Sequence, residues 1–252
     1  MKTSKVIKVI LMMLLAVGLV VYVVYASLFL SQPDGEEKCQ AVELIVKQGA
    51  ESSLMDKEEV ETILKNARIY PTGMLMKDVN TKKIEETLRE NEFIAEVECY
   101  KSADGKLCIS VKQRIPVIYV SPDEQDGYFV DAQGTIIPNR HCAMDFVVAS
   151  GNIDNHYAST KLAEFGCFLQ KNEFWNRQIE QIYVVKNKKG ERVVELIPRV
   201  GNQVVYLGSL DDFQGKLRRL RLFYDKAIDA VGWEKYARVN LEYDNQIICT
   251  KR

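Results

Sequence analysis

The chain has few of the parts from which enzymes are usually built. Its 252 residues include only two histidines, His141 and His156, so a His-based acid, base or metal site has little to work with. None of the six cysteines (Cys39, Cys99, Cys108, Cys142, Cys167, Cys249) forms a Cys-x-x-Cys pair, which removes the common zinc and thiol-redox signatures. His141 and Cys142 are adjacent, a spacing that suits a nucleophile–base contact on neither a helix nor a strand. Asp211 and Asp212 are paired carboxylates at a helix start, where acidic groups offset the helix dipole rather than hydrolyse anything. The expectation is therefore no catalytic residue, no metal ligand, no cofactor and no small-molecule substrate. Positive charge is not in excess either. Setting aside Lys2, Lys5 and Lys8 leaves 31 basic against 35 acidic residues, a net of −4, which argues against nucleic acid as a partner. There is no internal repeat and no low-complexity segment.

What is present is unevenly spread. A mean hydropathy of −0.16 excludes a polytopic membrane protein, yet Val9 to Leu30 carries no charge and is interrupted only by Gly18 and Ser27. As a helix, this run reaches roughly 33 Å, enough for a bilayer core. The three lysines precede it and Asp34, Glu36 and Glu37 follow, so the positive-inside rule puts the N-terminus in the cytoplasm and the bulk outside. This gives a cytoplasmic tail over 1–8, a transmembrane helix over 9–30 and a linker over 31–38. The rival reading is a cleaved signal peptide, since Val24-Tyr25-Ala26 has the small-residue spacing of a cleavage site. Against it, the apolar stretch is long, and Leu28-Phe29-Leu30 continues it past that site.

Two modules follow, one over 39–115 and one over 116–252. In the first, Ala41–Val46 alternates as a strand, and Asp56 and Glu59 make a capping box. Val60, Ile63, Leu64 and Ala67 then form one helical stripe, ended by Pro71 and Gly73. Asn80 caps a second helix bearing Ile84 and Leu88. Ala103-Asp104-Gly105 reads as a three-residue hairpin loop. That loop sets Val97 opposite Val111, Cys99 opposite Ile109 and Cys108 opposite Tyr100. Cys99 and Cys108 then point to opposite faces, which opposes a bond between them; buried free thiols are expected. The order is β-α-α-β-β, a small α+β unit.

After Pro116 the chain is strand-rich. Tyr128–Val130 and Thr135–Ile137 flank the turn Asp131–Gly134. Leu162, Phe165 and Leu169 mark a helix, and strands are expected over Ile182–Val185, Arg192–Ile197 and Val204–Leu207. A long helix is expected over Leu210–Val231, capped by Ser209 three residues before Asp212. Lys216, Arg218, Arg219 and Arg221 read as its solvated face. Val239, Leu241 and Tyr243 alternate as a terminal strand that Ile247-Ile248-Cys249 extend.

In this order, the anchor, the β-α-α-β-β unit and Gln113-Arg114-Ile115-Pro116-Val117 resemble the FtsQ/DivIB family of bacterial cell-division proteins. Gly127–Gly134, Val205-Tyr206-Leu207-Gly208, Lys216–Leu220 and Leu241-Glu242-Tyr243-Asp244-Asn245 are similar to further segments of that family. The very short cytoplasmic tail and the loop Gln48-Gly49-Ala50 depart from its pattern. The resemblance implies a POTRA domain followed by a β domain, in a non-enzymatic bitopic protein of the inner membrane and division septum. It also implies binding to FtsB-like and FtsL-like partners and a link to septal peptidoglycan synthesis. Partner contact is expected at Leu241, Tyr243, Asn245, Ile247 and Ile248, on a terminal edge that recruits a strand. The alternative is a membrane-anchored POTRA-type envelope assembly or secretion factor, although repeated modules and a terminal barrel are not seen.

Overall fold

The computed structural model describes residues 2–29, 37–47, 54–123, 126–140, 146–228 and 232–252. Leu30, most of the linker, Gln48–Ala50, His141, Cys142 and Val231 lie outside the described residues. The chain opens with helix α1, Lys2–Phe29, 28 residues long. Over 11–26, where its side chains are described, all but Ala26 are exposed. Among the described residues no helix is long and apolar enough to cross a membrane.

A three-stranded sheet and two helices follow: β1 (Ala41–Lys47), α2 (Lys57–Asn66), α3 (Thr81–Arg89), β2 (Ile94–Lys101) and β3 (Lys106–Gln113), in sheet order β1-β3-β2. The capping box forms as its residue types require. Asp56 accepts from the Glu59 amide, and the Glu59 side chain accepts from the Asp56 amide. Val60, Leu64 and Leu88 are fully buried and Ile84 nearly so, each such side chain stabilising by about 1.5–3 kcal/mol. The β2–β3 hairpin has the expected register, with Val97 opposite Val111, Cys99 opposite Ile109 and Tyr100 opposite Cys108. Gly105 supplies the left-handed φ of 74° that the loop needs.

The second part is a nine-stranded sheet in the order β12-β11-β10-β9-β8-β7-β4-β5-β6. Its strands are β4 (Pro116–Pro122), β5 (Tyr128–Asp131), β6 (Ile136–Pro138), β7 (Val148–Gly151), β8 (Ile179–Lys186), β9 (Arg192–Pro198), β10 (Val204–Gly208), β11 (Tyr236–Asn240) and β12 (Ile248–Lys251). β4, β7 and β8 run parallel, as do β10 and β11. Between β7 and β8 come the short helix α4 (Asn155–Tyr157), a π-helical turn, α5 (Ala163–Lys171) and α6 (Glu173–Gln178). Helix α7 (Phe213–Phe223) lies between β10 and β11. α5 packs on β4, where a side chain at Gly166 would meet Ile118 Cβ at 3.0 Å. Phe213 of α7 sits edge-on to Phe165 and Phe168, with centroids at 5.0 and 5.2 Å.

Two expectations change here. The helix expected from Leu210 starts at Phe213; its cap is Asp212, which accepts from the Gly215 amide, rather than Ser209. α7 gives way after Phe223 to a π-helical turn, Tyr224–Ile228. The expected alternation over Val239, Leu241 and Tyr243 is strand only as far as Asn240.

Polar side chains join the two parts. Gln113, almost wholly buried, ties the end of β3 to its own part, accepting from the Leu54 amide at 2.8 Å and donating to the Met55 carbonyl. Arg114 pairs with buried Asp131 at 2.9 Å. Asp131 also accepts from the amides of Gln133 and Thr135 and so shapes the β5–β6 turn. Arg140, just beyond β6, donates to the Leu54 carbonyl, pairs with Glu59 at 2.9 Å and lies 4.3 Å over the Phe93 ring.

Candidate partner-binding edge

The sequence ends on a strand at the edge of the large sheet. β12 pairs on one side with β11, antiparallel, with Asn240 opposite Ile248, Val239 opposite Cys249 and Arg238 opposite Thr250. No described strand lies on its other side. The Arg252 amide donates inward to the Lys235 carbonyl at 3.3 Å. In an antiparallel ladder, alternate residues turn their amide and carbonyl the same way. Thr250 and Ile248 therefore face β11, and the backbone groups of Cys249 and Lys251 face outward. The side chains divide as well. Ile247 and Cys249 are half-buried against the core, while Ile248 and Thr250 are exposed. The terminus is held rather than loose: the Arg252 guanidinium pairs with Glu234 at 2.8 Å and donates to the Asn202 carbonyl at 2.9 Å. One face is packed, one is open, and no described strand covers the outer edge.

The five residues expected to meet a partner fall into three environments. Leu241 is fully buried and belongs to the core, so its side chain is no contact surface. Tyr243 is 47% exposed in the connection from β11 to β12. Asn245 carries a left-handed φ of 58°, a conformation that Asn tolerates better than most residues, and the chain turns there toward β12. Ile247 is half-buried, and Ile248, 46% exposed, opens β12. Tyr243 and Ile248 are thus the large apolar side chains left open at this edge.

The basic cluster also divides. The solvated-face expectation holds for Arg218, which is exposed. Arg219, half-buried, donates to the carbonyls of Leu241 at 3.0 Å and Tyr243 at 3.3 Å, and so pins the loop that leads into β12. Arg221 lies 3.5 Å over the Phe174 ring and pairs with Asp225 at 3.0 Å. Lys216 is buried and donates to the Ser209 carbonyl at 2.7 Å. The sequence reading missed Arg219 and Arg252 as the fixtures of this edge. Its only signal for the loop was the polar run Asp244-Asn245-Gln246 between apolar residues.

Among the described residues, no grouping of His, Cys, Asp and Glu could hold a metal ion, and His156 is exposed at the start of α4. Burial pushes the Cys99 thiol up to about 12, which makes it a poor nucleophile at neutral pH.

Two family models match the chain. One, described as FtsQ/DivIB, C-terminal related, covers residues 115–250. The other, described as a POTRA-like domain, covers residues 37–112. No curated protein matches the chain.

Proposed function

Since the chain belongs to the FtsQ/DivIB, C-terminal related family, we propose that it is a non-enzymatic, bitopic cell-division protein that binds an FtsB-like partner by strand addition to β12. The observation that carries this reading is the open outer edge of β12, with outward backbone groups at Cys249 and Lys251 beside exposed Tyr243 and Ile248. A partner strand would satisfy those groups through main-chain bonds, and the side chains beside them would select the partner. The same partner, together with an FtsL-like protein, would couple the chain to septal peptidoglycan synthesis. The charge-free run Val9 to Leu30, longer than its described part and preceded by Lys2, Lys5 and Lys8, would be a single-pass anchor that leaves residues 39–115 and 116–252 outside the cytoplasm as two modules.

Hydrogen exchange tests the binding mode directly. Adding the extracytoplasmic segment of an FtsB-like protein should slow exchange at the amides of Cys249 and Lys251 far more than at those of Thr250 and Ile248, which already face β11. Binding without added protection at the two outward amides would overturn strand addition. For the anchor, a reporter fused after Arg252 should be active only outside the cytoplasm, and an active cytoplasmic fusion would overturn the topology.

A further inference from the structure

Away from the β12 edge, a concavity of about 840 Å³ opens at the end of the sheet where β8 turns into β9. That volume falls in the range of small-molecule sites, roughly 300–1,000 Å³, but such sites are usually apolar. This one is walled by Asn187 and Glu191 of the turn, by Ser209 and Asp211, and by Lys216 and Glu242.

Lys216 is its unusual element. The residue is 7% exposed, and a buried ammonium ordinarily needs a carboxylate partner. Among the described residues it has no ion pair, and its one hydrogen bond is to the Ser209 carbonyl, 2.7 Å away. Nearby Asp211 is already held by Lys161 at 2.9 Å. Burial keeps the amine below the usual lysine range, although the carboxylates of Asp211, Asp212 and Glu242 nearby act in the opposite sense. At the rim, Lys186 is exposed and likewise has no ion pair among the described residues. Tyr157 also lines the concavity, and its hydroxyl is buried with no hydrogen-bond partner. Burial pushes that hydroxyl up to about 12, so it stays a donor at neutral pH. Lys216, Lys186 and the Tyr157 hydroxyl are thus donors open to a ligand, and the Glu191 and Glu242 carboxylates are acceptors beside them.

We propose that this concavity binds a small carboxylate-bearing polar molecule, a sugar acid or an acidic dipeptide, with its carboxylate on Lys216 and its hydroxyl or amide groups along Asn187, Ser209 and Lys186. Both sources share one chemistry: an anionic group flanked by neutral donors and acceptors. Glu242, in the β11–β12 connection, lines the site but no residue of β12 does, and strand addition is not required for its occupancy.

Calorimetric titration of the full chain with matched probes provides the test. N-acetylmuramic acid and N-acetylglucosamine differ by a lactyl carboxylate, and L-alanyl-D-glutamate supplies the peptide source. At least one acid should bind saturably, at least about tenfold tighter than N-acetylglucosamine, as a charge-assisted bond requires. Whichever acid binds identifies the source. Lys216→Met should weaken the acid by at least about tenfold and Lys186→Ala by about threefold, with neither changing binding of an FtsB-like segment. If Lys216→Met fails to fold by circular dichroism, the acid–neutral pair and the Lys186 variant decide. Absence of saturable binding by either acid, equal affinity for the acid and the neutral sugar, or unchanged acid affinity in the folded variants would overturn the proposal.

Discussion

The two edges of the large sheet are treated in opposite ways. β6 is three residues long and ends in Pro138, which has no amide to offer a neighbouring strand. The chain leaves it through Arg140, tethered at once to Leu54, Glu59 and Phe93 of the first module. β12, four residues long, has no proline and ends at the exposed Lys251; Arg219 pins the connection before it and Arg252 the residue after it. Open edges invite unwanted pairing, and proteins blunt them by shortening, proline or cover. One edge here carries proline and cover while the other is braced at both ends with no described strand over it, a contrast expected if β12 is kept ready for a particular strand.

The largest effect should come from deleting the braced edge. A chain ending at Asp244 lacks β12 but keeps Tyr243. Its affinity for the extracytoplasmic segment of an FtsB-like partner, measured by fluorescence anisotropy, should fall by more than about a hundredfold, the loss of several interface bonds and anchors together. Full affinity in the truncated chain would erase the contrast between the edges. Next comes Tyr243→Ala, expected to weaken binding by about 1–3 kcal/mol. Because the ring is exposed in the free protein, the melting temperature should hardly change. A large drop in melting temperature instead would make Tyr243 a folding residue.

A smaller effect separates the edge from the strand itself. Lys251→Pro removes an amide that faces outward, whereas Thr250→Pro removes one that faces β11. The first should weaken partner binding about three- to tenfold, the worth of one hydrogen bond, with stability nearly intact. The second should cost about 1 kcal/mol of folding stability by urea titration. If both variants behave alike, the inward and outward assignment is wrong.

Much of this geometry was legible in the sequence wherever the determinant is local. The β2–β3 register follows from one loop, because Gly105 fixes where the chain reverses and every pair is then counted outward. The Asp56–Glu59 box spans four residues and forms as read. The terminal strand was half legible. Val239 and Leu241 do alternate into the core, but alternation reports burial, not ladder bonding. Arg219, 22 residues upstream of Leu241, takes the Leu241 carbonyl, and Asn245 then turns the chain. Neither event leaves a periodic signal. The basic cluster failed for the same reason: helical spacing identifies a face but not what lies against it, here the Ser209 carbonyl for Lys216 and the Phe174 ring for Arg221. The parallel pairing of β4 with β7 and β7 with β8 joins segments through long crossovers, and nothing local sets their order.

The smallest expected effect on binding tests the protected edge. Arg140→Ala removes two charge-assisted contacts and a cation–π contact that fasten the chain after β6 to the first module. Arg140 and Glu59 are each 39% exposed in their side chains, so solvent screens the pair, and the whole clasp is worth about 1 kcal/mol. Urea titration of the full chain should show a loss of that order. Arg114 still reaches across to Asp131 and Thr135, so the modules should stay joined. Partner affinity should not change, because β6 keeps its short length and Pro138 whether or not the clasp is present. Stronger binding of the FtsB-like segment in Arg140→Ala would mean that the clasp, rather than the strand's own length and proline, denies this edge to a partner. In that case the two edges would differ only in what covers them.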